Sequence, residues 1–472
     1  MKTFAWFIAP AALLLAGCTL APRYARPTLP VANQWPTAAR MAAAQPPSGA
    51  KSLSADADWS QVFGDPRLRA LEKLALANNR DLRMATLAVE QVRARYRVAN
   101  LAFIPMLDAT GNASRTRTAL DDLKLGQPQT ASHYSVGLMV PSYELDLFGR
   151  VRSLRDQALE QYLATDQARR AAALALVSEV ASQYFAQREI AGLLKLALDT
   201  RVALESSLRI TERRYQSGVS AKLDLTTAQA EVQNSDAIVA GLRQQLSQAD
   251  DALAFLVGTS IPANLPPPAS LYSGRLLVDL TPGLPSSLLE RRPDILQAEH
   301  LLKAANADIG AARAAFFPSI SLTATAGTAS PELSRLFQGG NGTWSFAPSI
   351  NLPIFAAGVN RANLEVANLQ KQIEVASYER TIQNAFREVS DALAARQQIA
   401  AQVAAYDALV GTEKERLKLS QARYDQGLDD YLTLLTARRD LYAAQQNQLV
   451  AHFARYSNLV DLYRALGGSW AR

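Results

Sequence analysis

Four short stretches of this chain alternate apolar and polar residues with the period of a β-strand. Leu107, Ala109, Gly111 and Ala113 alternate with Asp108, Thr110, Asn112 and Ser114, and Tyr134, Val136, Leu138 and Val140 with His133, Ser135, Gly137 and Met139. In the second half, Ile320, Leu322, Ala324 and Ala326 alternate with Ser319, Ser321, Thr323 and Thr325. Trp344, Phe346, Ile350 and Leu352 do so with Ser345, Ala347, Ser349 and Asn351. Period two places the apolar set on one face of each strand. The pattern predicts two β-hairpins, at about 106–147 and 318–355, joined through polar, Gly-containing stretches at 116–130 and 328–342.

The remainder reads as helix. No proline falls between Pro141 and Pro262, or after Pro353, and these windows are rich in Ala, Leu, Gln, Glu and Arg. Sixty-nine positions separate Gly149 from Gly218, and again Gly358 from Gly427. Helices of that length extend about 100 Å at 1.5 Å per residue. Gly218 and Gly427 read as left-handed caps with Arg at the negative end of the dipole. Return helices are expected from about Ser220 to Leu256 and from about Asp430 to Leu466.

The two halves are copies. Arg214-Tyr215-Gln216-Ser217-Gly218-Val219 is matched by Arg423-Tyr424-Asp425-Gln426-Gly427-Leu428 at a constant offset of 209 residues, and Leu223, Leu225 and Ala228 by Leu432, Leu434 and Ala437. Asp81-Leu82 and Phe103-Ile104-Pro105 are matched at an offset of 213 by Asp294-Ile295 and Phe316-Phe317-Pro318. A tandem duplication follows. The expected fold class is α+β, each half holding a strand hairpin and a long helical hairpin. The segments are a signal peptide at 1–17, a tether at 18–62, the first repeat at 63–258, a Pro-rich linker at 259–284 and the second repeat at 285–468.

The N-terminus sets the compartment. Lys2, an apolar run from Phe4 to Leu15, and Leu15-Ala16-Gly17-Cys18 form a signal peptide ending in a lipobox. Cys18 is the single cysteine, so no disulfide framework is available, and it is the expected lipidation site. No cofactor is expected beyond that covalent lipid. The formal charge of +6 is spread over helical stretches without a Lys/Arg run, which gives nucleic-acid binding no support. His133, His300 and His452 stand apart, and no catalytic motif is present, so no enzyme is expected.

An amphipathic strand without a core of its own can face lipid outward and water inward, or pack on helices as a plain sheet. The lipobox and the helix lengths favour the membrane. Lipid tolerates no open sheet edges, and single-chain barrels start at eight strands, so four strands must oligomerise to span.

The lipobox, Arg292-Pro293-Asp294-Ile295 with Ala298-Glu299, the Ala315-Phe316-Phe317-Pro318-Ser319-Ile320 stretch and the paired Arg-Tyr-x-x-Gly turns together resemble the TolC family, in its lipid-anchored OprM/NodT-like branch. The resemblance runs from about Trp59 to Gly468. It implies a homotrimer with a 12-stranded outer-membrane β-barrel continuous with a long periplasmic α-helical barrel. It also implies an efflux exit duct, partnered by a periplasmic membrane-fusion adaptor and an inner-membrane RND-type transporter. By the same resemblance, the Asp after the second turn glycine lies at the constriction, which points to Asp429. Asp430 is the alternative, and the competing reading of both is as N-terminal acids that stabilise the dipole of the next helix. Arg214, Tyr215, Arg423 and Tyr424 either link the hairpins or cap carbonyls and pack locally. Gly218, Val219, Gly427 and Leu428 mark the adaptor-docking tips. The competing readings are a type I protein-secretion duct and a non-conducting coiled-coil scaffold.

Overall fold

The computed structural model describes residues 19–32, 34–35, 52–54, 59–118, 129–273, 279–281 and 288–468. Cys18 lies outside them. In chain order the elements are β1 (Ser52–Ser54), α1 (Trp59–Val62), α2 (Pro66–Asn78), α3 (Arg80–Leu101), β2 (Asp108–Thr118), β3 (Gln129–Leu145), α4 (Arg150–Gln216) and α5 (Lys222–Val257). They continue with β4 (Asp279–Thr281), α6 (Leu288–Arg291), α7 (Pro293–Ala314), β5 (Ser319–Ser330), β6 (Gly342–Asn351), α8 (Val359–Asp425) and α9 (Tyr431–Ala465). The two long helices, α4 and α8, are each 67 residues. The backbone falls into two compact units, one built of the chain up to Pro27, Val89–Thr165 and Ala298–Tyr378, the other of the rest.

The first unit holds a four-stranded antiparallel sheet in the order β2-β3-β5-β6. Cross-strand partners share a face. The ladders put Val136 against Gly111, Leu138 against Ala109 and Ala326, Ala324 against Phe346, and Ile320 against Ile350, so one face is apolar from edge to edge. Among the described residues nothing covers it: Trp344 is 80% exposed and Ile350 68%. The other face pairs Thr325 with Ser345, whose hydroxyls hydrogen-bond at 2.6 Å, and Ser321 with Ser349.

The strands run further than their alternation suggests, β2 to Thr118 and β5 to Ser330, into stretches expected as links. β3 also carries a bulge that the alternation does not announce. Its register shifts between Val140 and Tyr143, where Pro141 needs no ladder donor and its carbonyl accepts Thr323 Oγ1 at 3.0 Å. The extra residue returns Tyr143 and Leu145 to the apolar face and turns Glu144 off it.

Gly137 and Gly327 face each other across β3 and β5 on the polar side. A Cβ on Gly327 would lie 2.3 Å from the Val136 carbonyl oxygen and 2.6 Å from the Gly137 Cα, whereas one on Gly111 meets nothing closer than 3.9 Å. Gly327→Ala is therefore expected to destabilise the sheet by about 1–3 kcal/mol and Gly111→Ala to be neutral. Urea unfolding followed by tryptophan fluorescence checks this, and equal midpoints for the two variants would contradict it.

The segment after Cys18 is pinned along α7. Asn306 Nδ2 donates to the Pro22 carbonyl at 2.7 Å and Arg313 Nη1 to that of Leu20 at 3.1 Å. The nearly buried Glu299 carboxylate accepts from Arg26 at 2.7 Å, Lys303 at 3.2 Å and Tyr24 Oη at 3.2 Å.

In the second unit the halves join their helices end to end in the same way. Asn79, just before α3, donates from Nδ2 to the Leu256 carbonyl at the end of α5, at 2.9 Å. Arg292, just before α7, donates from Nη1 to the Ala465 carbonyl at the end of α9, also at 2.9 Å. Each side chain satisfies a carbonyl that a helix terminus leaves free. An aromatic core lies nearby, with Phe185 stacked on Tyr456 at 5.1 Å and Phe63 edge-on to Tyr463 at 5.7 Å. The stretches read as tether and linker each contribute a strand: β1 pairs with β4 in parallel, Ser52 opposite Asp279.

Candidate functional site at the helical turns

The turns after α4 and α8 are close copies. Gly218 and Gly427 adopt φ of 77° and 74°. A Cβ on either would meet nothing within 4 Å, so glycine is required for its conformation and not for room. Val219 N donates to the Arg214 carbonyl at 2.8 Å and Leu428 N to the Arg423 carbonyl at 2.9 Å, closing the helix ends. That geometry leaves Val219 76% and Leu428 63% exposed at the tips.

The copies diverge in how they enter the return helix. In the second turn Asp430 is the N-cap of α9, accepting from Thr433 N at 2.8 Å and Thr433 Oγ1 at 2.6 Å. Asp429 is free of that duty and takes a two-pronged ion pair from Arg423, Nε and Nη2 each at 2.8 Å. In the first turn Ala221 stands at the cap. Asp224, in the first turn of α5, reaches back to Ala221 N at 3.3 Å and Ser220 Oγ at 2.9 Å.

The four Arg and Tyr positions take different roles. Arg423 binds within its own turn. Arg214 reaches from the first hairpin to the second, its guanidinium 4.6 Å over the Tyr424 ring, a cation–π contact. Tyr424 also lies 6.0 Å from Tyr431. Tyr215 is exposed and, among the described residues, engages none of these groups. Sequence reasoning missed the small core beneath, where Ala228, Tyr431 and Leu435 pack with Leu208 and Tyr424, and a second inter-hairpin bond from Arg439 to Glu231. The duplication held a signal for it. Glu231 and Asp440 are matched at the offset of 209, yet Asp440 pairs with Arg416 of its own hairpin at 2.7 Å.

Charge at the second turn is locked. The Arg423 hydrogen bonds hold the Asp429 carboxyl below the usual aspartate range, and the Thr433 hydroxyl and N–H do the same for Asp430. Groups with lowered values stabilise the turn above their unfolded pKa and release it only as pH falls through the folded one. Both should stay ionised from pH 8 to 5 and protonate only below the ordinary aspartate value of about 3.9. Carboxyl 13C shifts assigned with Asp429→Asn and Asp430→Asn would show this, and a titration step between pH 5 and 7 would refute it.

Comparison with known proteins settles the family. Residues 71–259 and 284–468, one stretch in each half, match the family model described as outer membrane efflux protein. This chain belongs to that family. It is 46% identical over 463 residues to the probable efflux pump outer membrane protein TtgC of Pseudomonas putida, covering 98% of this chain and 95% of that one. It is 45% identical over 459 residues to the outer membrane protein OprJ of Pseudomonas aeruginosa, covering 97% and 94%. Among solved structures, the open-state MtrE outer membrane channel of Neisseria gonorrhoeae superposes with a TM-score of 0.85 at 40% identity, over 96% of this chain and 98% of that one. This efflux protein is an outer-membrane exit duct and not an enzyme. The scaffold and secretion readings fall away, because likeness to efflux channels extends over nearly the whole chain. No helix among the described residues is long and apolar enough to cross a membrane.

Proposed function

We propose that three copies of this chain form one duct, with a 12-stranded β-barrel in the outer membrane and a helical barrel in the periplasm. The four-stranded sheet carries this reading. Among the described residues, β2 and β6 each have an unpaired edge, and the apolar face is bare. Lipid accepts such a face but no open edge, and three copies close the ring with a lumen lined by the Ser/Thr face. Acyl chains on Cys18, a diacylglyceryl group and an amide-linked palmitate, hold the N-terminus in the leaflet. A ring of Asp429–Arg423 pairs narrows the periplasmic mouth, and the Arg214–Tyr424 and Arg439–Glu231 contacts keep neighbouring hairpins together.

The duct conducts passively, for an inner-membrane RND-type transporter docked through a periplasmic membrane-fusion adaptor. Small lipophilic solutes and drugs are the expected cargo, as in relatives named for antibiotic, toluene and solvent efflux. Planar-bilayer recording of the purified protein, with its mass measured in detergent, tests the assembly. A conducting particle of three chains is expected, and a folded single chain would overturn it. The adaptor reading is tested at the exposed tips. Val219→Asp/Leu428→Asp should abolish drug resistance in cells while the assembled duct persists, and unchanged resistance would rule docking there out.

A further inference from the structure

The apolar face of the sheet ends in two cations. The β2–β3 register is unbroken from Asp108 to Thr118, and side chains alternate, so Arg115 and Arg117 lie on the same face as Ala109, Gly111 and Ala113. They stand opposite Ser132 and Thr130, one and two steps beyond Tyr134 on that face. Both are exposed and, among the described residues, neither has an acidic partner. This is the turn end of the hairpin, since β2 follows α3 and β3 leads into α4. A guanidinium is costly at the centre of a bilayer and tolerable at its border, where tyrosine rings gather. The two side chains are about 7 Å apart along one strand. Each presents a planar fork that matches phosphate oxygens in two-pronged bonds.

We infer that Arg115 and Arg117 dock the phosphorylated headgroup of an outer-leaflet glycolipid, whose acyl chains lie along Val136 and Leu138. Free phosphate fits less well, because it has no use for the apolar strip that continues from the cations. The inference rests on the lipid-facing assignment of this face.

The test uses the purified full chain in detergent micelles doped with hexa-acylated diphosphoryl lipid A, or with the same glycolipid lacking phosphates. Bound lipid is counted by native mass spectrometry. Wild type should retain the diphosphoryl form at roughly tenfold lower concentration than the phosphate-free form. Arg115→Gln/Arg117→Gln should erase that difference, and Arg115→Lys/Arg117→Lys should keep most of it. Equal retention of the two lipids by wild type would overturn the proposal without any variant. So would discrimination that survives the glutamine variant, or displacement of the lipid by millimolar inorganic phosphate. Ion selectivity in planar bilayers separates this from failure of the duct reading. It should be unchanged in the glutamine variant, and an altered selectivity would place the arginines in the lumen and overturn headgroup docking.

Discussion

Removing Asp429 and removing Arg423 should push the selectivity of the duct in opposite directions. Asp429→Ala leaves Arg423 unpaired, so in the proposed trimer the mouth would gain a ring of positive charge. Arg423→Ala leaves the Asp429 carboxylates bare and gains a ring of negative charge, which favours cations. Both variants also lose the ion pair, Arg423 Nε and Nη2 to Asp429 at 2.8 Å, that fixes the turn against its own helix. Single-channel conductance is expected to rise several-fold in each, with reversal potentials in a salt gradient shifting to opposite signs. Asp430→Asn should matter less, since asparagine caps a helix nearly as well as aspartate. Conductance and selectivity left at wild-type values in both variants would move the constriction away from this pair.

Arg292→Met should be the most damaging single change to stability. The guanidinium is buried and bound to Asp294 at 2.6 Å, to Glu388 at 2.8 Å and to the Ala465 carbonyl at 2.9 Å. Burial works against its charge, and the Asp294 and Glu388 carboxylates more than restore it, holding its pKa above the ordinary arginine value. Methionine replaces the stem but removes the guanidinium donor from Glu388 and from a helix-end carbonyl, and leaves Asp294 with the Ile295 N–H at 2.9 Å. Breaking a buried pair costs about 3–5 kcal/mol; with both acids part-exposed, the low end, about 3 kcal/mol, is expected. Gly467, at φ 91°, already packs against Arg292, its would-be Cβ 3.1 Å from the arginine Cγ, so a bulkier repair is blocked. Arg292→Lys should recover part of the loss by keeping the charge. Urea midpoints of the three proteins decide the matter, and a methionine variant as stable as wild type would show that the join is held elsewhere. Asn79→Ala, at the equivalent join in the first half, should cost less because only neutral hydrogen bonds are lost, the donor to Leu256 and the Oδ1 that accepts from Leu82 N at 3.0 Å.

Much of this architecture was legible in the chain. Strand alternation marked the four strands of the antiparallel sheet, and the absence of proline with Gly149, Gly218, Gly358 and Gly427 marked the long helices. Each of those glycines takes a positive φ, a local requirement that one residue type can announce by itself. The duplication was legible for the same reason, as equal spacing along one dimension. The turn chemistry was half legible. An acid pair before a helix signals a complement to its dipole, but the choice of Asp430 as cap and Asp429 as the partner of Arg423 depends on where the chain points after a left-handed glycine.

The sequence by itself therefore determined the repeat, the two-faced strands, the helix lengths and the glycine turns, all set by periods and backbone preferences within a few residues. Tertiary structure alone decided the rest. It paired β1 with β4 across more than two hundred residues, laid the segment after Cys18 along α7, and set the bulge at Pro141. It also carried Arg214 to Tyr424 and Arg439 to Glu231. These contacts join residues whose separation along the chain bears no relation to any local period. A hydrogen bond or a stacked ring depends on distances of a few ångströms that only the folded backbone creates.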